Sequence, residues 1–132
     1  MNRNQKEQYL QTRWQIEYER RDVAQSIQDL FPKCKEVKLE IKLSFVSAFG
    51  KNEKEINATL NPCDKLYWHH DCLNKDCTGF GFSLTNEIRT AIQTRQTIEG
   101  KLNCDGKEDW KYINNTGCSC NSSCHYKIIP LF

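Results

Sequence analysis

Hydrophobic and polar positions repeat with two different periods along the chain, and these periods predict its secondary structure. In the stretch 5–30, which contains no Gly or Pro, apolar residues recur every seven positions. This pattern predicts one long amphipathic helix that is ended by Pro32. The apolar seam consists of Tyr9, Ile16, Val23 and Leu30.

The first half of this helix carries two large aromatic side chains, Trp14 and Tyr18, outside the narrow apolar seam. Two interpretations are open. In the first, one face of the helix packs on the domain and the rest is solvated. In the second, Trp14 and Tyr18 bind a partner protein, or a second copy of the chain in a homodimer.

A period of two follows the helix and predicts antiparallel strands. Over 37–45 every second residue is apolar and the residues between them are charged or polar, as in a strand with one buried and one solvated face. The composition of 50–54 predicts a turn, and alternation resumes over 56–60, which completes a hairpin. Further extended segments are predicted at 65–71 and at 128–129.

An N-terminal cap, an apolar face and a C-terminal stop residue together predict a second helix. Thr85 is the expected N-cap, Glu87 lies in the first turn, and Gly100 is the expected C-terminal stop. The apolar face consists of Ile88, Ala91, Ile92 and Ile98. The order of elements predicts an α+β fold, in which a long N-terminal helix and a second helix pack on a small antiparallel sheet.

Composition limits the size and class of the protein. The chain has 132 residues, of which 38% are hydrophobic, enough for one modest core. We therefore expect a single domain over 1–132, with the N-terminal helix at 1–31, the sheet at 35–71 and a cysteine-rich half at 72–132. The net charge of +2 is spread along the chain, so it does not indicate a dedicated nucleic-acid or membrane surface. The apolar runs are far shorter than the roughly 18 residues that a membrane-spanning helix needs.

Eight cysteines are the unusual feature of the composition. The first residues are polar and lack the apolar core of a secretory signal, so we expect a cytoplasmic protein with reduced thiols. Clustered cysteines in that compartment favour a metal site. Three glycosylation sequons, at Asn57, Asn114 and Asn121, keep open the alternative of a secreted, disulfide-stabilised binding domain.

Four of the cysteines have the arrangement of a structural zinc site. Cys72 and Cys77 enclose four residues, a spacing that lets a tight loop present two sulfurs to one Zn²⁺. Cys104 follows the second helix, and Cys120 precedes the last strand. If strand and helix pack together, these four thiolates converge on one ion that pins the helix to the sheet.

Other side chains are alternatives for the same role. Cys118 can replace Cys120 after a small slip of the loop, whereas Cys124 is expected inside the last strand, where a buried thiol packs as a small apolar group. Cys34 and Cys63 are expected to be core or surface thiols. A second metal site is a further alternative, with ligands drawn from His69 or His70, Cys63, and Cys124 or His125.

The cysteine pattern resembles that of small uncharacterised zinc-binding proteins of bacteria and their phages. The shared features are a strand leading into C-x4-C-T-G-x-G-F, a capped helix, a lone cysteine, and a cysteine loop before a Tyr-containing strand. The resemblance covers about residues 66–129, although Cys118 and Cys124 are extra. It implies a structural zinc and, for a phage protein, a role as inhibitor of a host or defence protein. The matching positions are Cys72, Cys77, Thr78, Gly79, Gly81, Phe82, Leu84, Cys104, Gly106 and Cys120.

The motifs of zinc deaminases and of H-E-x-x-H hydrolases do not occur in the sequence. We therefore expect that the protein is not an enzyme. We expect a zinc-stabilised adaptor, regulator or inhibitor that binds another protein. Nucleic-acid binding is the alternative, because aromatic residues and lysines are interspersed in the second half. Acidic residues among them nearly cancel the positive field, which weighs against it.

Overall fold

A four-stranded antiparallel sheet carries the core of the protein. The computed structural model describes residues 3–47, 50–73, 81–104 and 122–132. Within these ranges the chain forms α1 (Arg3–Val23), α2 (Ile27–Leu30), β1 (Glu36–Ser47), β2 (Gly50–Leu60), β3 (His69–His70), β4 (Phe82–Ser83), α3 (Thr85–Thr94), β5 (Ile98–Asn103) and β6 (Ser122–Leu131). The predicted α+β class with a small antiparallel sheet is confirmed.

The sheet has the strand order β2-β1-β6-β5, and β3 and β4 form a separate two-stranded ribbon. β1 pairs with β2 from Val37 opposite Leu60 to Ser47 opposite Gly50. β6 pairs with β1 on one side and with β5 on the other. The alternation predicted in β1 is confirmed, because its buried apolar positions include Val37, Leu39, Ile41 and Leu43.

The turn predicted at 50–54 is wrong, since β2 already begins at Gly50 and runs through these residues. Their polarity reflects the solvated face of an edge strand. On that face the carboxylate of Glu53 lies 2.8 Å from Lys51 Nζ and 3.0 Å from Lys42 Nζ on β1. Hydrogen bonds from these two ammonium groups lower the pKa of Glu53.

The single long helix predicted to reach Leu30 is also wrong, because α1 ends at Val23 and a separate short helix follows. Between them the backbone pairs with a distant segment instead of continuing the helix: the amide of Leu66 donates to the carbonyl of Gln25 at 2.8 Å. The Ser26 hydroxyl then starts α2 by accepting a backbone amide hydrogen bond at 3.2 Å.

The second predicted helix is present as α3, but its ends differ from the prediction. Thr85 is its first helical residue rather than its N-cap, and the Thr85 hydroxyl accepts a hydrogen bond from the amide of Trp68 at 3.2 Å. The helix ends at Thr94, and the C-cap Arg95 adopts a left-handed conformation with φ 54°. Ile98 and Gly100, predicted as helix face and helix stop, therefore lie in β5.

Gly100 is required by packing within the sheet. It lies opposite Tyr126 on β6, and a Cβ at this position would come 2.6 Å from Tyr126 Cζ. The tyrosine ring thus fills the space that a side chain at position 100 would need.

The core lies between the sheet, α3 and the segment that follows β2. α3 packs on β6 and buries the predicted stripe of Ile88, Ala91 and Ile92. No side chain of α1 whose burial is described belongs to this apolar cluster. Among the described helices, none is both long and apolar enough to cross a membrane.

We expect Gly100→Ala to lower the free energy of unfolding by about 1–3 kcal/mol, the usual cost of an overpacked site. Urea unfolding followed by far-UV circular dichroism measures the change. Lys101→Ala, on the exposed position beside it, is the control and should change stability by less than about 0.5 kcal/mol. A Gly100→Ala protein as stable as the control would contradict the packing of Tyr126 against β5.

Candidate metal centre and a groove along helix α1

Two of the four predicted zinc ligands lie against the same residue, Ser122, at the start of β6. Ser122 is 3% exposed. Its Oγ lies 3.0 Å from Sγ of Cys72, and its carbonyl accepts a hydrogen bond from the amide of Cys104 at 3.0 Å. The chain segments that carry Cys72 and Cys104 therefore meet at one end of the sheet.

The strand register places the side chains of Cys104 and Ser122 on the same face. β5 and β6 are antiparallel up to Asn103 opposite Ser123, so Cys104 comes opposite Ser122. Side chains at such directly opposed positions have Cβ atoms about 4.5–5.5 Å apart. This face is the buried one, since Cys104 is 7% exposed.

Three of the predicted or alternative ligands, Cys77, Cys118 and Cys120, lie outside the described residues. Within the described ranges no group of three or more His, Cys, Asp or Glu side chains is placed to hold a metal ion. The described part of the predicted site consists of Cys72 and Cys104.

Cys124 lies in β6, as expected, and is fully buried between Leu43 on β1 and Leu102 on β5. Burial raises the pKa of its thiol to about 11, and the nearby Glu87 carboxylate adds to the effect. The thiol is therefore protonated at neutral pH and packs as a small apolar side chain.

The remaining candidate ligands have other surroundings. The thiols of Cys34, which is buried, and Cys63, which is exposed, are free. His70 Nδ1 lies 2.7 Å from the carbonyl oxygen of Asp71, and it must be the donor because a carbonyl only accepts. Its Nε2 therefore accepts from Lys54 Nζ at 3.1 Å, so a metal at His70 would have to displace that ammonium group.

Helix α1 is attached to the domain by a row of side chains at every second position of the segment 65–71. We call this row the polar ladder; it consists of Lys65, Tyr67, His69 and Asp71. Its contacts on α1 fall at Arg13, Glu17 and Arg21. These positions are four residues apart, about 6 Å along a helix, and so lie on one side of α1.

The centre of the polar ladder is formed on α1 by Glu17, whose side chain is 12% exposed. Tyr67 Oη donates a hydrogen bond to its carboxylate, and His69 Nε2 lies 3.9 Å from Glu17 Oε1. Burial raises the pKa of Tyr67, and the hydrogen bond to Glu17 raises that pKa further.

The two ends of the ladder are also polar. The Lys65 ammonium donates to the carbonyls of Arg21 and Asp22 at 2.9 and 2.6 Å, where a cation satisfies the C-terminal end of a helix. At the other end Arg13 Nη2 lies 3.3 Å from Asp71 Oδ1, with the Arg13 side chain 7% exposed.

The docking face of α1 therefore differs from the predicted apolar seam. Val23 of that seam is 81% exposed, whereas Arg13 is 6% exposed. The seam was inferred from apolar residues alone, but this helix docks through charged and hydroxyl groups. The available signal was the set of polar groups that form the ladder, at alternate positions of 65–71, with the apolar Leu66 and Trp68 between them.

A groove of about 340 Å³ lies between α1 and the polar ladder. Its ladder wall is formed by Tyr67, His69 and Asp71. Its helix wall is formed by one stripe of α1 at i, i+3, i+4 and i+7: Trp14, Glu17, Tyr18 and Arg21. The two predicted partner-binding residues thus line one groove, and Trp14 and Tyr18 are 44% and 56% exposed.

No protein-family model, curated protein or solved structure matches the chain. The function is therefore inferred from the arrangement of its own residues.

We expect Tyr67→Phe to lower the free energy of unfolding by about 1–3 kcal/mol, because the buried Glu17 carboxylate loses a hydrogen-bond donor. The pKa of Tyr67 is higher in the folded protein than in the unfolded chain. Its contribution to stability is thus complete below about pH 10 and is lost as the pH rises through the folded-state pKa. Tyr67→Phe should remove that part of the alkaline decline.

Denaturant unfolding at pH 7 and at a series of alkaline pH values measures both effects. Tyr18→Phe is the matched control, since Tyr18 is exposed and its hydroxyl forms no hydrogen bond with a described residue. Equal stabilities of the two variants at every pH would show that the ladder does not depend on Tyr67.

Proposed function

We propose that the chain is a non-catalytic, zinc-stabilised interaction protein of the cytoplasm, which binds another protein through the groove wall that carries Trp14 and Tyr18. One structural Zn²⁺ would be held by Cys72, Cys77, Cys104 and Cys120. The resemblance to phage proteins suggests an inhibitor of a host or defence protein as its role. The observation that carries this proposal is the meeting of Cys72 and Cys104 at Ser122.

The position of Ser122 also supports Cys120 as a ligand. Cys120 precedes Ser122 by two residues, so chain connectivity keeps the two Cα atoms within about 7 Å. Cys118 is two residues further away and remains the alternative. The Ser122 hydroxyl next to Cys72 is the kind of outer hydrogen-bond partner that orients a metal-bound ligand.

A structural zinc would matter for the stability of this fold. Apparent binding free energies of structural zinc are about 10–16 kcal/mol, as large as the whole net stability of an ordinary domain, about 5–15 kcal/mol. The ion would connect the segment after β3 to the ends of β5 and β6. Its removal is expected to unfold at least this half of the protein.

The groove supports binding rather than catalysis. Its carboxylates are engaged in contacts within the protein, Glu17 with Tyr67 and Asp71 with Arg13. A carboxylate acts as a general base only if it can reach a proton of the substrate, and these two are already engaged within the protein. The large exposed aromatic side chains on the helix wall, Trp14 and Tyr18, are of the type that dominates protein interfaces.

The alternative of nucleic-acid binding receives less support from the described residues. Phe82, one of the aromatic residues that suggested it, is 2% exposed and belongs to the core. A stacking platform requires exposed ring faces, which Phe82 does not offer.

We expect the purified protein to contain about one zinc ion per chain, and Cys72→Ser and Cys104→Ser each to reduce this ratio to near zero. Elemental analysis of protein purified without added metal measures the ratio. Cys63→Ser and Cys124→Ala are the controls and should retain the metal. Metal-free protein with its cysteines in disulfides would overturn the zinc site, and a ratio near two would replace the single site by two.

We expect the double substitution Trp14→Ala and Tyr18→Ala to weaken capture of the partner at least tenfold, because both anchors are lost. Thermal unfolding should change little, since both side chains are exposed and outside the core. Val23→Ala, which removes an exposed apolar side chain elsewhere on α1, is the control. Unchanged capture by the double variant would remove α1 from the proposed interface.

A further inference from the structure

Three charged side chains line the groove: Glu17, Asp71 and Arg21. Both carboxylates are ion-paired with arginines outside the lining, Glu17 with Arg20 at 3.2 Å and Asp71 with Arg13 at 3.3 Å. Arg21 forms no ion pair with any described residue. Arg21 is thus the cation of the groove lining that can pair with a carboxylate of a partner.

The guanidinium group of Arg21 is held in place by an aromatic ring. Its Cζ lies 5.2 Å from the centroid of the Tyr18 ring, within the range of a cation–π contact. A contact of this kind orients the cation without using its N–H donors in hydrogen bonds to oxygen acceptors. Trp14, one helical turn before Tyr18, extends the apolar wall beside this cation.

We propose that the groove binds one carboxylate and an adjacent aromatic or aliphatic side chain of the partner protein. The carboxylate pairs with Arg21, and its apolar neighbour packs on Trp14 and Tyr18. This inference rests on the proposed function and names the chemistry of the partner. The volume of about 340 Å³ is at the lower end of the range for binding pockets and suits one or two side chains.

A nucleic acid fits the same groove less well. Its affinity comes from several phosphate contacts, each with its own Lys or Arg. The groove supplies Arg21, while Lys65 beside it donates to helix carbonyls. One guanidinium matches one carboxylate, whereas a nucleic acid strand would bring further phosphates for which the groove lining has no cation.

The test uses the full chain, as purified, and two small probes that differ by one charge: N-acetyl-Phe-Asp-amide and N-acetyl-Phe-Asn-amide. Binding is followed by the NMR shift of the Trp14 indole N–H. We expect saturable shifts with a dissociation constant in the millimolar range for the Asp probe and about fivefold weaker binding of the Asn probe, the value of an exposed charge pair.

Two variants separate the role of Arg21 from a general effect of charge. Arg21→Gln should bind both probes equally and weakly. Arg95→Gln is the matched control, because Arg95 also lies over an aromatic ring, that of Phe132 at 4.5 Å, but does not line this groove. It should keep the fivefold preference for the Asp probe.

Several outcomes would overturn the inference: no saturable shift of Trp14, equal binding of both probes by the unmodified chain, or an unchanged preference in Arg21→Gln. Tighter, Arg21-dependent binding of an oligothymidine would replace the protein partner by a nucleic acid.

Zinc content is measured on the same samples. Zinc-loaded protein that does not bind the probes would refute this inference alone, whereas probe binding by metal-free protein would refute only the zinc site.

Discussion

The segment 65–72 determines how the parts of this protein are connected, because its side chains contact several different elements. The odd positions form the polar ladder that holds α1. Of the even positions, Leu66 is buried in the core, Trp68 packs against it, His70 contacts Lys54 on β2, and Cys72 reaches Ser122 at the start of β6. A helix with no described contribution to the apolar core and the proposed metal centre are therefore attached to the same short segment.

The backbone of this segment is itself held at both sides. The amide of Leu66 donates to Gln25, and the carbonyl of Trp68 accepts from the amide of Leu84 at 3.2 Å. Gly81 allows the chain before β4 to come close to this segment. It has φ +79°, and a Cβ at this position would lie 2.9 Å from the Cα of Asp71. A zinc ion at Cys72, as proposed, would add a fixed end to the segment and would thereby connect the metal centre to the element that holds α1.

Features that depend on local periodicity could be predicted from the sequence. The alternation of β1, the buried stripe of α3 and the place of Cys124 in the last strand all follow from patterns within a few residues. The break after Val23 could not be predicted in this way, because it arises from pairing with residues about forty positions away. A glycine at position 100 is compatible with the end of a helix and with close packing against a neighbouring side chain. Only the position of Tyr126 in the fold shows that close packing is the reason.

The candidate site was partly predictable for the same reason. The sequence predicted that the segments of Cys72 and Cys104 converge, and both do contact Ser122; the polar ladder was missed because its partners lie on a helix far away in the sequence. Hydrogen exchange, compared between zinc-loaded and chelated protein, tests the connection between the two most directly. Chelation should increase exchange in 65–72 and in α1 together. Exchange rates in both that do not respond to the chelator would contradict a metal-fixed segment.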